Sequence, residues 1–212
     1  MQEKDFGQSQ RQYEQGRIQY RLALELVKNR GFGKVVLDIG AGKGEFADIL
    51  SERGYKVSCV DGTKELCKEL EEKGYETACI DLEEERLPFP DNSFDLVVSL
   101  EVIEHLWNTE HYLKELWRVL RPDGYVILTT PNYNFWSFRI LSFLGLAERF
   151  LTQDYHKKLF TAHSLSKRLG PYFTVEKIAG RGMVPKLGLH YPAPVFRNLL
   201  AMHIGVLCKP KK

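Results

Sequence analysis

The sequence predicts an α/β fold built on a largely parallel sheet. Short apolar and β-branched runs, of which "KVVLDI" at residues 34–39 is the first, alternate with amphipathic stretches of about 10 to 15 residues. A glycine-rich turn follows the first run directly, as is typical of a strand that leads into a helix. Because 212 residues suffice for one substantial core, we expect a single domain.

The first half of the chain supplies the regular alternation. A helical stripe from Ile18 to Val27 ends at Gly31 and precedes the first strand. A helix at 45–54 then ends at a glycine, and a helix at 63–74 begins with Thr63 as its N-cap. The other elements predicted in this half are strands at 56–61, 76–81, 95–100 and 125–131 and a capped amphipathic helix within 108–124. Such alternation implies right-handed crossovers between parallel strands.

The alternation breaks after residue 131. A long aromatic-rich segment occupies residues 132–151, and the next helix, at 161–170, has Thr161 as its predicted N-cap. Two strands, at 172–180 and 199–209, close the chain and are predicted to pair antiparallel at one edge of the sheet. The single domain therefore divides into an N-terminal arm and helix (1–33), a core (34–132), an insertion (133–163) and a C-terminal helix with edge strands (164–212).

Composition narrows the classes of function. The 30 basic and 28 acidic residues are scattered and give a net charge of +2, which disfavours nucleic acid as a partner. The first 15 residues are polar and no uncharged run of about 18 residues exists, so we expect neither a signal peptide nor a transmembrane segment. Four cysteines without a CxxC pair predict reduced, buried thiols in a cytoplasmic protein: Cys59, Cys67, Cys79 and Cys208.

The glycine loop in "VLDIGAGKGEF" indicates which nucleotide it holds. Its glycines follow a GxGxG spacing, and Glu45 occupies the position of the third glycine of a dinucleotide loop. A carboxylate there would repel a pyrophosphate, whereas Asp38, two residues before Gly40, suits a cationic ligand. Asp61 and Asp81 each end a predicted strand, where a carboxylate can accept hydrogen bonds from a ribose diol or an adenine amino group. An NAD site and a purely structural turn are the less favoured interpretations of the loop.

Four segments together identify a family resemblance. They are "VLDIGAGKGEF", "VDGTKEL", "CIDLEEERLPFPDNSFDLVVSLEVIEHL" and "LRPDGYVILTTPN", and they lie within about residues 34–132. The chain resembles the class I S-adenosylmethionine-dependent methyltransferases of the small UbiG-like, or type 11/12, kind. The resemblance implies a Rossmann-like, doubly wound sheet of seven strands in the order 3-2-1-4-5-7-6, with the last strand antiparallel and helices on both faces. Ala41 departs from the cysteine that many relatives carry, without altering the backbone of the loop.

The resemblance also implies how the cofactor is held. S-adenosyl-L-methionine would be the methyl donor and S-adenosyl-L-homocysteine the product. The glycine loop and Asp38 would contact the methionine moiety, and later residues the ribose, the adenine and the sulfonium. Arg17 or Arg21 could pair with the cofactor carboxylate, although a surface salt bridge is the favoured role for both. The residues that the resemblance assigns to the cofactor are Asp38, Gly40, Ala41, Gly42, Gly44, Asp61, Gly62, Thr63, Asp81, Leu82, Ser99 and Leu100.

The candidate catalytic residues lie in "SLEVIEHLWN" and in the insertion. His105 could serve as a general base, and Glu104 and His156 are its candidate partners. Glu101, Glu104 and His105 form an E-x-x-E-H run whose spacing is close to one helical turn. The run is similar to the metal-binding run of quinone-biosynthesis and small-RNA methyltransferases, where a further histidine matches His156. A divalent metal on these four residues is the less favoured interpretation. We expect His111 to be solvated and His163 to be structural, and we assign no role to His190 or His203.

The aromatic insertion bears on the acceptor. Its rings suit a lid over an aromatic or apolar acceptor, but a dimer contact and a membrane-facing surface remain alternatives. The proline-rich segment at 182–196 could form the opposite wall. We favour methyl transfer to a small molecule, with oxygen as the acceptor atom. RNA methylation and a non-catalytic, cofactor-binding partner subunit are the alternatives, and both a monomer and a homodimer stay open. The insertion's aromatic residues are Tyr133, Phe135, Trp136, Phe138, Phe143 and Phe150.

Overall fold

A computed structural model describes residues 18–28, 30–144, 156–182 and 199–212 of the chain. Its strands are β1 Val35–Ile39, β2 Lys56–Asp61, β3 Glu76–Cys79, β4 Phe94–Leu100, β5 Leu120–Pro131, β6 Phe173–Arg181 and β7 His203–Pro210. Its helices are α1 Ile18–Val27, α2 Glu45–Glu52, α3 Lys64–Glu72, α4 Thr109–Val119, α5 Trp136–Phe143 and α6 Ala162–Leu169. A short 3₁₀ turn covers Ile103–His105.

The strands form one sheet in the order β3-β2-β1-β4-β5-β7-β6, which confirms the predicted order. Neighbouring strands from β3 to β5 pair in parallel, while β7 runs antiparallel to both β5 and β6. The carboxyl ends of β1, β2, β4 and β5 therefore meet at one edge of the sheet. In open α/β sheets this edge is where ligands bind.

Helices cover both faces of the sheet, as predicted. On one face α1, α2 and α3 contribute Leu22, Phe46 and Leu70 to a buried cluster with side chains of β1, β2 and β4. On the other face α4 and α6 bury Leu116 and Leu165 in a second cluster. The sheet is thus a rigid layer between two apolar cores, and residues at its carboxyl edge are held in fixed positions.

Several predicted boundaries differ from the structure. The helix within 108–124 ends at Val119, and Leu120 already pairs with Phe94 in the sheet. The helix cannot easily continue because the residue before a proline, here Arg121, is disfavoured in the α conformation. The third strand, predicted as 76–81, ends at 79, and the last strand begins at 203 instead of 199.

The predictions of two helix N-caps and of four buried thiols were confirmed in part. Thr161 caps α6 in a reciprocal capping box with Ser164, whereas Thr63 occupies the N-cap position of α3 without a side-chain cap bond. Three of the four free thiols are buried as expected, but the thiol of Cys79 is exposed. Cys79 lies on β3, the outermost strand of the sheet, which explains its exposure. No helix among the described residues is long and apolar enough to cross a membrane.

Candidate active site

The glycine loop leaves the carboxyl end of β1 in a conformation that suits glycine. Gly40, Gly42 and Gly44 have φ angles of 70°, 56° and 76°, in the left-handed region that other residues adopt at a cost. The backbone amides of Gly40 and Ala41 both donate to the carbonyl of Val60, over 2.8 and 3.1 Å. The loop is thereby anchored to β2 and leads directly into the N-terminus of α2.

Asp38 lies beneath this loop and carries an unsatisfied carboxylate. Its side chain is 2% exposed, and Oδ2 has no hydrogen-bond partner in the described part of the chain. Burial, with a contribution from the nearby Asp61 carboxylate, raises the pKa of Asp38 to about 7. A buried carboxylate without a partner is a binding position for a cation, because a positive group would supply the interaction that it lacks.

Asp61 fixes the loop from the end of β2. Its Oδ2 accepts a hydrogen bond from the amide of Gly42 at 3.0 Å, and its Oδ1 accepts one from the amide of Thr63 at 2.9 Å. The carboxylate is 8% exposed. Asp61 thus bonds both to the glycine loop, through Gly42, and to its own turn, through Thr63. Asp61, Gly62 and Thr63 form this turn against the glycine loop, where the ribose was expected.

The residues expected at the adenine and the sulfonium are less enclosed. Asp81 is exposed and accepts a hydrogen bond from the amide of Glu83 at 2.8 Å, while Leu82 beside it is half-buried. Ser99 is fully buried, and its hydroxyl shares a hydrogen bond with the hydroxyl of Tyr112. The side chain of Ser99 therefore faces α4, and its backbone, with that of Leu100, remains the part that can face a ligand.

A second polar group follows β4 at the same edge of the sheet. Ligand atoms of Glu104, His105 and His156 all lie within 4.8 Å of one another, and the rings of the two histidines have centroids 5.1 Å apart. We call these three residues the acceptor cluster. The structure thus brings together three of the four residues predicted for a metal, although His156 lies 51 residues from His105 in the chain.

Glu101 does not join the acceptor cluster. It adopts a left-handed backbone with φ of 59°, which stops the E-x-x-E-H run from forming a helical turn. Its Oε1 accepts a hydrogen bond from the Thr129 hydroxyl at 2.8 Å, and its Oε2 lies 3.2 Å from Nε2 of His203. The expectation of a helical spacing across Glu101 and Glu104 was therefore wrong, because Glu101 lies in the bend that directly follows β4.

Glu104 is the most deeply buried member of the acceptor cluster. It is 1% exposed, and neither carboxylate oxygen has a hydrogen-bond partner among the described residues. Burial raises the pKa of Glu104 to about 8, and the nearby Glu101 carboxylate contributes to the increase. Burial, together with the neighbouring His105, lowers the pKa of His156, which favours its neutral imidazole. The cluster thus combines an unsatisfied carboxyl group with imidazole nitrogens.

The comparisons with known proteins agree with this geometry. Residues 37–128 match the model of a family described as a methyltransferase domain. A probable S-adenosylmethionine-dependent methyltransferase of Mycolicibacterium smegmatis is 31% identical over 113 residues, which cover 53% of this chain and 44% of the relative. A ubiquinone biosynthesis O-methyltransferase of Psychrobacter arcticus is 27% identical over 187 residues, which cover 82% and 69% of the two chains. This chain is therefore similar to S-adenosylmethionine-dependent methyltransferases over a segment that includes residues 37–128.

The fold agrees with that of solved methyltransferase structures. The crystal structure of an S-adenosylmethionine-dependent methyltransferase from Archaeoglobus fulgidus superposes with a TM-score of 0.66 at 21% identity, over 89% of this chain and 90% of that one. The chain spans less than half the length of the Mycolicibacterium relative and of two Mycobacterium tuberculosis relatives.

Sequence reasoning missed two residues that contact this site. The hydroxyl of Tyr20 on α1 donates to Oε2 of Glu45 at 2.9 Å, so the N-terminal helix reaches the loop through a tyrosine. Arg21 is half-buried on the same helix, and Arg17 lies outside the described residues. The other missed residue, His203, begins β7 opposite Pro131 of β5. Only the strand order, which the resemblance implied, could have placed it at the carboxyl edge.

The remaining histidines lie away from this edge or outside the described residues. Nε2 of His111 lies 2.9 Å from the carbonyl oxygen of Glu85, so His111 contacts the loop after β3 instead of being solvated. His163 is exposed on α6, contrary to the structural role expected for it. His190 lies outside the described residues.

The aromatic insertion is partly buried and partly exposed in the part that the structure describes. Phe135 is buried, whereas Trp136 is 46% exposed and Phe143 is 90% exposed. Phe150 and residues 183–196 lie outside the described part of the chain, so neither can be placed as a lid or a wall. A cavity of about 340 Å³ opens beside α5 and is lined by Tyr133, Asn134, Phe138, Arg139 and Ser142.

Proposed function

We propose that this chain transfers the methyl group of S-adenosylmethionine to an oxygen of a small-molecule acceptor. The observation that carries the proposal is the acceptor cluster, which lies directly after β4 at the same sheet edge as the glycine loop and Asp61. An in-line displacement at the sulfonium requires the acceptor atom next to the methyl donor, so most of the catalysis comes from positioning. The similarity to a ubiquinone biosynthesis O-methyltransferase supports oxygen as the acceptor atom.

The cofactor would bind across the ends of β1, β2 and β3. Asp38 would attract the ammonium of its methionine moiety, and the amides at the start of α2 would favour its carboxylate. Asp61 would accept the ribose hydroxyls, with Gly62 and Thr63 beside it. Asp81 and Leu82 would flank the adenine, and the backbone of Ser99 and Leu100 would lie beside the sulfonium. The loop residues Gly40, Ala41, Gly42 and Gly44 would line the methionine moiety.

The acceptor cluster fits a divalent cation. Glu104 offers a buried carboxyl group without a hydrogen-bond partner among the described residues, and His105 and His156 offer imidazole nitrogens close by. Carboxylate and imidazole together are common ligands of divalent metals. A bound ion would polarise the acceptor oxygen and lower the pKa of its proton. Glu101 is directed to Thr129 and His203, so it is not part of the proposed ligand set.

The cavity beside α5 supports an acceptor that is at least partly aromatic or apolar. Tyr133 and Phe138 supply aromatic surface, and Arg139 and Asn134 supply polar groups at its wall. A ligand pocket of this kind typically buries an apolar body and orients it with a few polar contacts. Within the four-part division of the domain, residues 34–132 would bind the cofactor and residues 133–163 would bind the acceptor.

The test uses purified protein, isotopically labelled S-adenosylmethionine and a panel of phenols, catechols, carboxylic acids and amines. We expect labelled methyl in a hydroxyl-bearing acceptor together with one equivalent of S-adenosylhomocysteine. Transfer only to nitrogen would contradict the assignment of the acceptor atom. Salt-sensitive binding of a short RNA with methylation of that RNA would favour the RNA alternative. Cofactor binding without transfer to any acceptor until a second protein is added would favour the partner-subunit alternative.

Chelation should separate a metal-assisted site from a metal-free one. We expect excess EDTA to lower turnover of the identified acceptor at least about tenfold, and added Mg²⁺ to restore it, because the ion stabilises developing charge on the acceptor oxygen. S-adenosylhomocysteine affinity, measured by calorimetry in the same buffers, should stay unchanged and serves as the control. Full turnover in excess chelator would contradict the metal proposal and leave His105 as the candidate base.

A further inference from the structure

Glu83 connects the two halves of the proposed active site. It follows Asp81 and Leu82 in the loop after β3, and its backbone amide donates to Oδ1 of Asp81 at 2.8 Å. The amide of Asp81 in turn donates to Oε1 of Glu85 at 2.7 Å. These local bonds fix the backbone of Glu83 relative to Asp81, so a displacement of one is transmitted to the other.

The side chain of Glu83 contacts the segment that follows the acceptor cluster. Its Oε2 accepts hydrogen bonds from the backbone amides of Trp107 and Asn108, at 2.9 and 3.0 Å. Its backbone carbonyl accepts a third bond from the Asn108 side-chain amide at 3.0 Å. Trp107 is two residues after His105, so Glu83 fixes the exit of the turn that carries Glu104 and His105.

The other oxygen of Glu83 contacts the segment that carries His156. Nζ of Lys157 donates to Oε1 of Glu83 at 2.9 Å, and Lys157 is the residue next to His156. Burial raises the pKa of Glu83, but the hydrogen bonds from Lys157 and the two amides outweigh it and keep that pKa below its usual range. A charge-assisted bond of this kind is shorter and stronger than a neutral one.

Lys158 joins the same segment to the acceptor cluster itself. Its backbone amide donates to the carbonyl oxygen of Glu104 at 3.0 Å. Its Nζ donates to the carbonyl oxygen of Trp107 at 2.6 Å and to the hydroxyl of Thr109 at 3.1 Å. We call residues 156–158 the histidine strap, because these bonds hold His156 against His105. Lys158 thus reaches the chain that leaves the acceptor cluster. Nζ of Lys157 lies 5.8 Å from the centre of the Trp107 ring in the same chain and also reaches Glu83 in the loop after β3.

We propose that Glu83 is a positioning residue that couples occupancy of the adenine pocket to the position of His156. This inference rests on the proposed function, because it takes Asp81 and Leu82 as the wall of that pocket. A ligand that orders the loop orders Glu83, and Glu83 then holds Lys157 and the exit of the acceptor turn together. Linkage makes this coupling reciprocal: an ordered strap raises the affinity for the cofactor by the same factor by which the bound cofactor favours the ordered strap. Binding of the methyl donor therefore orders an acceptor cluster whose residues already lie close together in the structure.

Hydrogen exchange of the Lys158 amide tests the coupling, because that amide bonds directly to Glu104. The probe is S-adenosylhomocysteine, and the variants are Glu83→Gln, which keeps an acceptor for the amides but removes the charge facing Lys157, and Glu84→Gln as a matched control. Glu84 is exposed in the same loop. In the wild type and in Glu84→Gln we expect saturating ligand to slow Lys158 exchange about tenfold, and in Glu83→Gln less than about twofold. Equal protection in all three proteins would overturn the proposal.

A double-mutant cycle with Lys157→Met shows whether Glu83 acts through that lysine. Each single variant should weaken S-adenosylhomocysteine binding by about threefold, and the double variant should be no weaker than either single one. Additive losses would contradict a coupling through this pair. Calorimetry on the wild type separates the two proposals. If S-adenosylhomocysteine does not bind the wild type at all, the proposed function fails. If it binds but Lys158 protection is independent of Glu83, only the coupling fails.

Discussion

Asp38→Asn is expected to weaken S-adenosylmethionine binding about 100-fold, or ~2.7 kcal/mol, because it removes the charge that faces the ammonium of the cofactor. The same substitution should stabilise the cofactor-free protein at pH 8. Asp38 is fully buried and its carboxylate has an oxygen without a partner in the described residues, so its ionised form is unfavourable until a cation binds. Ionised Asp38 would therefore lower the free energy of unfolding of the cofactor-free protein and raise its affinity for the cofactor.

The stability gained by Asp38→Asn should increase with pH. Because the folded pKa of about 7 lies above the ordinary aspartate pKa of 3.8, the folded protein holds a proton that the unfolded chain releases between these pH values. Stability from this group is present below pH 3.8 and is lost as pH rises to about 7. The full shift of the Asp38 pKa corresponds to about 4 kcal/mol, which is an upper bound for the free energy of unfolding gained when a neutral side chain replaces the carboxylate. The advantage of Asp38→Asn should thus be small near pH 4, grow between pH 5 and 7, and stay constant above pH 7.5.

Urea unfolding of both proteins at pH 4, 5, 6, 7 and 8 measures this profile, and calorimetry at pH 8 measures cofactor affinity. Asp123→Asn is the control, since Asp123 is exposed within β5 and far from the loop in sequence. It should change neither quantity. A stability difference between Asp38→Asn and wild type that is the same at pH 5 and pH 8 would contradict the buried ionisation. An unchanged cofactor affinity would remove Asp38 from the binding site.

The parts of the site that the sequence predicted are those formed by local contacts. The glycine loop, Asp38 and Asp61 all lie at the ends of apolar runs, where the period of the strand and the turn chemistry determine the backbone. The acceptor cluster was only partly predictable. The spacing of Glu104 and His105 is local, but the spacing from Glu101 suggested a helical turn that the left-handed backbone of Glu101 prevents.

The contacts that the sequence did not predict join distant segments. His203 meets Glu101 across more than 100 residues because β7 pairs beside β5, and such pairing follows from the sheet order instead of from any local pattern. Tyr20 and Lys158 are further examples, since each is an ordinary surface residue type until the fold places it against Glu45 or Glu104. Residue types that are common on surfaces carry no local signal for a tertiary partner.

Gly40→Ala is expected to abolish useful cofactor binding, with a loss of about 100-fold in S-adenosylhomocysteine affinity and about 2–4 kcal/mol in the free energy of unfolding. Two effects combine at this position. The φ angle of 70° is strained for alanine, and an added Cβ would lie 2.4 Å from Cγ2 of Val102. Val102 immediately precedes the turn that carries Glu104 and His105, so relief of the clash would displace either the glycine loop or the acceptor cluster.

Gly74→Ala separates the strain from the clash. Gly74 has a φ angle of 89° but an added Cβ there would meet nothing within 4 Å. This control should lose only about 1–2 kcal/mol from the left-handed backbone and keep its S-adenosylhomocysteine affinity. The double variant Gly40→Ala/Val102→Ala removes the clashing methyl group and should recover part of the lost affinity. If Gly40→Ala behaves like Gly74→Ala in calorimetry and urea unfolding, the close packing of Val102 against the loop does not position the cofactor.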